Sequence, residues 1–310
     1  MKRIAVLLLA LVTLTAAIPC AAAEKGESFV FENSIPAEYL KMMPEGGGKV
    51  EKISYMSRDY YKDENVEVEK HALVYLPAAY SPDGEPCDVL VLCHGVGGTE
   101  YEWGFTDPNN GTRFLTDHLF ADGYVKNLII VMPNGRSTAK YDDISFGNMY
   151  SFYPFGKELR NDLLPYIDAN YNTKASQTPE DPAAQRASRA MAGLSMGGMQ
   201  TINIGMCECL DLFSAFGAFS AAPTSNTSAQ IAEKLKAFPE NLDIRYFYNI
   251  CGTEDGTAYA SASAAAKTKP ADSRLTEENW TWQELPGAHD FRIWRLGLYN
   301  FLKLLGSLQE

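Results

Sequence analysis

At 310 residues, 46% of them hydrophobic, the chain can bury a large core, which suits one big α/β domain or two small ones. Its formal charge of −12 repels nucleic acid and anionic membrane surfaces, so neither is an expected partner.

The chain opens with "MKRIAVLLLALVTLTAAIPCAAAEKG": a basic start at Lys2 and Arg3, an apolar run, then small residues at Ala21 to Ala23. This pattern predicts a signal peptide over residues 1–23, cut before Glu24, and an exported product, secreted or periplasmic. The apolar run is short for a membrane span, and Pro19 ahead of Cys20 argues against a lipid anchor there. Loss of Lys2 and Arg3 with the signal takes the charge from −12 to −14. Residues 24–50, ending in a glycine triplet, read as an N-terminal extension that wraps or spaces the domain, and residues 51–310 as one α/β domain.

Within that domain, 70–77, 87–95 and 127–135 are short β-rich runs ended by Gly, Pro or Asn, as buried strands should be. Residues 156–171 carry Leu159, Leu163, Tyr166 and Ile167 at helical spacing, with a kink expected at Pro165. "SRAMAGLS" reads as a strand and "GGMQTINIGMCECL" as a helix. Residues 244–252 and 280–289 read as further strands, 256–274 as a surface loop or soft helix, and 291–306 as a closing amphipathic helix. Strands alternating with helices predict a doubly wound, mainly parallel sheet with helices on both faces. With Cys20 gone, five cysteines remain: Cys87, Cys93, Cys207, Cys209 and Cys251. An odd set of this kind is not a disulfide framework, although one bridge stays open. Cys207-Glu-Cys209 lacks the spacing of a zinc site, and packing explains it better.

One stretch carries chemistry. Gly193-Leu194-Ser195-Met196-Gly197 lies between the predicted strand and the predicted helix, the setting of a nucleophile elbow. Such a motif alone is weak, since glycines also let strand and helix pack closely and a serine can cap a helix. A serine nucleophile needs a base, and in this arrangement the chain order is serine, acid, histidine. Of His71, His94, His118 and His289, only His289 follows Ser195, in a loop after a strand. For the acid, "CGTEDG" offers Glu254 and Asp255, of which Asp255 is the choice; Asp211, Asp243 and Asp272 read as solvated charges. The two N–H donors of an oxyanion hole are expected from Met196, just after the nucleophile, and from Val96 in "CHGVGG". His94 reads as a packed residue that holds this loop.

These pieces resemble the Putative esterase family of α/β hydrolases, which includes feruloyl and acetyl xylan esterases of the carbohydrate esterase family 1 type. The matching stretches are "VYLPAAYSPDGEPCDVLVLCHGVGG", "FGKELRNDLLPYIDANYNT", "RAMAGLSMGGMQT", "FSAFGAFSAAP", "CGTEDG" and "GAHDFRIWRLGLYNFL", in the family's order from about residue 50 to 305. The resemblance implies an α/β-hydrolase fold, with Ser195 as nucleophile, His289 as base, Asp255 as acid, and Val96 and Met196 as oxyanion donors. It implies a serine esterase without cofactor or metal that removes acyl groups from plant cell-wall polysaccharide or its oligosaccharides. Acetyl xylan esterase, siderophore trilactone esterase, acyltransferase and non-catalytic carbohydrate-binding protein are the alternatives. The aromatic runs "EYEWGF" and 141–155 favour a feruloyl or coumaroyl group over acetyl, with Trp103 as the expected substrate contact and Trp282 and Trp294 read as core.

Overall fold

The computed structural model describes residues 29–43 and 45–309, so the predicted signal peptide lies outside the described residues. Eight strands form one sheet: β1 Lys49–Asp59, β2 Asp63–Leu76, β3 Asp88–Cys93, β4 Leu128–Pro133, β5 Arg189–Leu194, β6 Ala215–Phe219, β7 Tyr246–Gly252 and β8 Trp280–Leu285. Their spatial order is β1-β2-β4-β3-β5-β6-β7-β8, with β3 to β8 parallel and the β1–β2 hairpin antiparallel at one edge. This is the expected doubly wound, mainly parallel sheet, and its topology is that of an α/β hydrolase.

Helices cover both faces, which is why the central strands are continuous apolar runs. On one face Phe155, Leu163, Ile202 and Ile231 close a core over Val91 and Met191. On the other, Leu115 and Leu119 of helix Gly111–Ala121 and Leu298 and Phe301 of helix Phe291–Ser307 pack on Leu90 and Ile130. Edge strand β1 instead alternates exposed and buried residues along its second half. Residues 29–43 make contacts with the sheet and the closing helix. Phe31 stacks on Tyr248 with ring centroids 4.5 Å apart, and the Glu32 backbone exchanges hydrogen bonds with the Asn300 amide.

Pro165 does not break its helix. A π turn, Leu159–Leu163, precedes it and joins helical segments Phe155–Glu158 and Leu164–Asn170. Proline has no N–H to donate and its ring crowds the carbonyl four residues back, and the wider turn accommodates both. The five cysteines are buried and unpaired, and burial pushes the Cys251 thiol up to about 12. The stretch 256–274 contains a helix, Tyr259–Ala266, that seats Ala262, Ala265 and Ala266 in the core. Among the described residues no helix is long and apolar enough to cross a membrane, and no cluster of His, Cys, Asp and Glu could hold a metal ion.

Candidate active site

Strand β5 ends in a turn so tight that Ser195 adopts φ 51° and ψ −113°. A left-handed φ is costly for a residue with a Cβ and marks a strained, functional turn. The neighbours must be glycine. A Cβ on Gly193 would lie 2.5 Å from the Gly197 backbone, and one on Gly197 would lie 2.5 Å from the Cys93 carbonyl. Ser195 N–H donates to the Phe219 carbonyl at 2.9 Å, tying the turn to the end of β6. The hydroxyl thus stands above the carboxyl edge of the sheet, at the start of helix Met196–Gln200.

The loops leaving β7 and β8 are zipped together: Thr253 N–H donates to the Leu285 carbonyl at 3.0 Å, and Glu254 N–H to Gly287 at 2.9 Å. That pairing sets Asp255 beside His289. Asp255 Oδ2 accepts from His289 Nδ1 at 2.7 Å, and His289 Nε2 lies 3.0 Å from Ser195 Oγ. Asp255 is buried, and Thr257 and Ala258 donate their N–H groups to its Oδ1 at 3.0 and 2.8 Å. Burial works to raise its pKa, but the bonds from His289 and Ala258 outweigh burial and hold it below the usual carboxylate range. An ionised Asp255 makes Nδ1 the protonated nitrogen, so Nε2 is free to accept the Ser195 proton. Glu254, the other acid considered, is exposed and takes no part in this chain of bonds.

The loop after β3 lies across from Ser195. Gly95, Val96, Leu194, Ser195, Met196 and His289 border one cleft of about 420 Å³. Neither Val96 N–H nor Met196 N–H has a backbone or side-chain acceptor among the described residues, as suits donors aimed at a substrate oxygen. His94 is buried and holds the loop as expected: its Nδ1 meets the Gly95 carbonyl at 2.7 Å, and Gly135 N–H donates to its Nε2 at 3.0 Å. Burial, with help from the Arg136 charge, pushes its pKa down to about 3, so it stays neutral.

Residues 64–303 match the family described as Putative esterase. The chain belongs to that family. The chain is 29% identical over 258 residues to an "Endo-1,4-beta-xylanase/feruloyl esterase" of Xylanibacter ruminicola, covering 80% of this chain and 30% of the relative. It is 29% identical over 282 residues to "Endo-1,4-beta-xylanase Y" of Acetivibrio thermocellus, covering 85% and 23%. It thus spans less than a third of the length of either relative. A ferulic acid esterase of Anaeromyces mucronatus, solved with ferulic acid, shares the fold at TM-score 0.71 and 22% identity, over 91% of this chain and 99% of that one.

Trp294 is a core residue as expected and also borders the cleft, whereas Trp103 is core and not the substrate contact that the sequence suggests. Trp103 is 1% exposed and does not border the cleft; its Nε1–H donates to the Cys93 carbonyl at 3.1 Å beneath the loop, wedged against Phe219 and Phe291. It supports the Val96 loop from below and is not a substrate contact. Trp294 does border the cleft, and its ring stands edge-on to His289 at 5.0 Å. Its signal was its position five residues after His289, in the first turns of the helix that Asp290 caps. The aromatic stretch 141–155 does reach the cleft, through Phe146 and Met149. Glu102, which sequence reading passed over, is there too. Arg136 and Arg292 stay out of the cleft: Arg136 is buried on the Gly98 carbonyl, and Arg292 is bonded to Pro286.

Proposed function

We propose that the chain is a serine esterase that cleaves aromatic acyl groups, feruloyl above all, from plant cell-wall polysaccharide. The observation that carries this reading is the Asp255–His289–Ser195 chain of hydrogen bonds opening into an apolar cleft. His289 Nε2 takes the hydroxyl proton as Ser195 Oγ bonds to the ester carbonyl carbon, and the carbonyl electron pair moves onto oxygen. The N–H groups of Val96 and Met196 receive that oxyanion. Its collapse breaks the bond to the sugar oxygen, and His289 returns the proton to the departing alkoxide. Water, deprotonated by His289 in turn, then releases the acid and restores Ser195.

For the acyl group, three features weigh together. Val96, Phe146, Met149, Met196 and Trp294 give the cleft apolar walls, and about 420 Å³ is ample for a phenylpropenoyl group. The ionisable side chains along it are Glu102 and His289, with no Lys or Arg to meet an anionic ligand. That lining suits a neutral planar group better than a charged siderophore. The names of the X. ruminicola relative and of the A. mucronatus enzyme point to the same chemistry. The N-terminal signal pattern supports export to where such polysaccharide lies.

The test is a panel of methyl ferulate, methyl coumarate and aryl acetates, followed by feruloylated arabinoxylan, with Ser195→Ala as the blank. Ferulate release that the blank lacks is the expected result. Efficient deacetylation of xylan with feruloyl esters untouched would overturn the acyl assignment and leave the esterase.

A further inference from the structure

The loop that presents Val96 has its surrounding polar groups tied by side chains. Trp103 Nε1–H holds the Cys93 carbonyl, His94 holds the Gly95 carbonyl, and Arg136 Nη1 holds the Gly98 carbonyl at 2.8 Å. The remaining tie is the shortest: Gly95 N–H donates to Glu102 Oε2 at 2.6 Å. The loop is folded around that carboxylate. A Cβ on Gly98 would lie 2.2 Å from Glu102 Oε2, and one on Gly95 would lie 3.5 Å from it. Glu102 borders the same cleft as Ser195 and His289.

Resting on the Ser195–His289 reading above, we propose that Glu102 is a positioning residue: its carboxylate aims the Val96 N–H by gripping the preceding amide, and its charge stabilises His289 as the imidazolium forms. A carboxylate so near a developing oxyanion works against that negative charge, so its retention needs a compensating task. Gripping Gly95 and favouring a positive imidazole supply two. The charged or titratable groups facing Glu102 are Arg136, from the loop after β4, and His289, from the loop after β8. Asp255 bonds to His289 Nδ1, and Glu102 borders the same cleft as His289. Burial pushes the Glu102 pKa up, while the Gly95 N–H, Arg136 and His289 favour its charged form.

The experiment compares Glu102→Gln and Glu102→Ala with the unmodified chain, reading kcat, KM and the pH profile on a soluble aryl ester. Glutamine keeps an acceptor for Gly95 and loses the charge. Removing a negative neighbour disfavours the imidazolium, so the acid limb of kcat/KM moves to lower pH by about 0.3 unit or more. Alanine releases the loop, and kcat falls on the order of ten- to a hundredfold, with KM within about threefold. An acid limb unmoved in Glu102→Gln, or a kcat within about twofold in Glu102→Ala, overturns the proposal. Should Glu102→Ala fail to fold, the glutamine variant decides alone. An unmodified chain whose kcat/KM shows no acid limb would instead sink the Ser195–His289 reading, and this proposal with it.

Discussion

Asp255→Asn exchanges one atom, and the structure dictates where that atom goes. Thr257 and Ala258 both donate their N–H groups to Oδ1, so the amide oxygen of asparagine must take that place. The NH2 group is then left where Oδ2 now accepts from His289 Nδ1 at 2.7 Å. Donating instead of accepting, it removes the proton from Nδ1 and sends it to Nε2, the nitrogen 3.0 Å from Ser195 Oγ. A protonated Nε2 cannot take the serine proton. The wrong-tautomer penalty in serine triads is roughly ten-thousand-fold in kcat, equivalent to about 5.5 kcal/mol of barrier. Steady-state kinetics on an aryl ester would read it, and an unchanged melting curve would show that the packing survives. Glu254→Gln, at an exposed position one residue away, should change kcat less than about twofold. A loss below about tenfold in Asp255→Asn, or a larger one in Glu254→Gln, would refute the tautomer argument.

Three further outcomes are expected. The Ser195 proton has a home only on neutral imidazole, so kcat/KM should fall on the acid side. Asp255 is held below the carboxylate range and His94 is pushed down to about 3, so neither supplies the start of that fall. A rate level from pH 4 to 9 would remove histidine from the mechanism. Trp103→Phe leaves the buried Cys93 carbonyl without its donor and should cost about 1–3 kcal/mol in denaturant unfolding. It should lower kcat/KM for aryl and acetyl esters by the same factor; a selective rise in aryl-ester KM would return Trp103 to the substrate. Phe146, 74% exposed at the cleft mouth, should do what was first expected of Trp103. Phe146→Ala should raise KM for methyl ferulate about tenfold and for an acetyl ester less than twofold, as one apolar contact allows. Equal effects on both would detach Phe146 from the acyl group.

What the sequence discloses depends on how narrowly geometry restricts each residue. Gly193 and Gly197 are readable because backbone lies where their Cβ atoms would be. Strands β3, β4, β5 and β7 are readable because burial on both faces demands unbroken apolar runs. Strand β6, five residues with Gly217 at its centre, gives no such signal. That glycine exists for helix packing, since a Cβ there would meet the Phe301 ring at 2.9 Å. Helix Gly111–Ala121 also escapes, because it opens from the turn-like Asn109-Asn110-Gly111, where Asn110 is the cap. The hairpin partner β1 hides its alternation among charged residues on an edge exposed to solvent.

Chain order picks out Ser195, Asp255 and His289, but sheet order explains why they meet. From β3 the chain steps to β4 on one side, then crosses back to β5 on the other, so the loops after β3 and β5 diverge over a crevice. Ligands of open α/β sheets bind at such a reversal. Val96 leaves β3 on one rim and Ser195 leaves β5 on the other, while β7 and β8 bring Asp255 and His289 in from the same edge. Nothing in residue type says which large side chain lines that crevice and which lies under its rim. Trp103 and Trp294 follow the β3 and β8 exits by about ten residues each, and both are almost wholly buried. The difference is what lies above them. Trp103 sits below the Val96 loop and spends its N–H on Cys93, whereas Trp294, rising from the first turns of the closing helix, sets its ring edge-on against the imidazole of His289. The elbow is therefore legible from local sterics, while the identity of the cleft wall follows from topology alone.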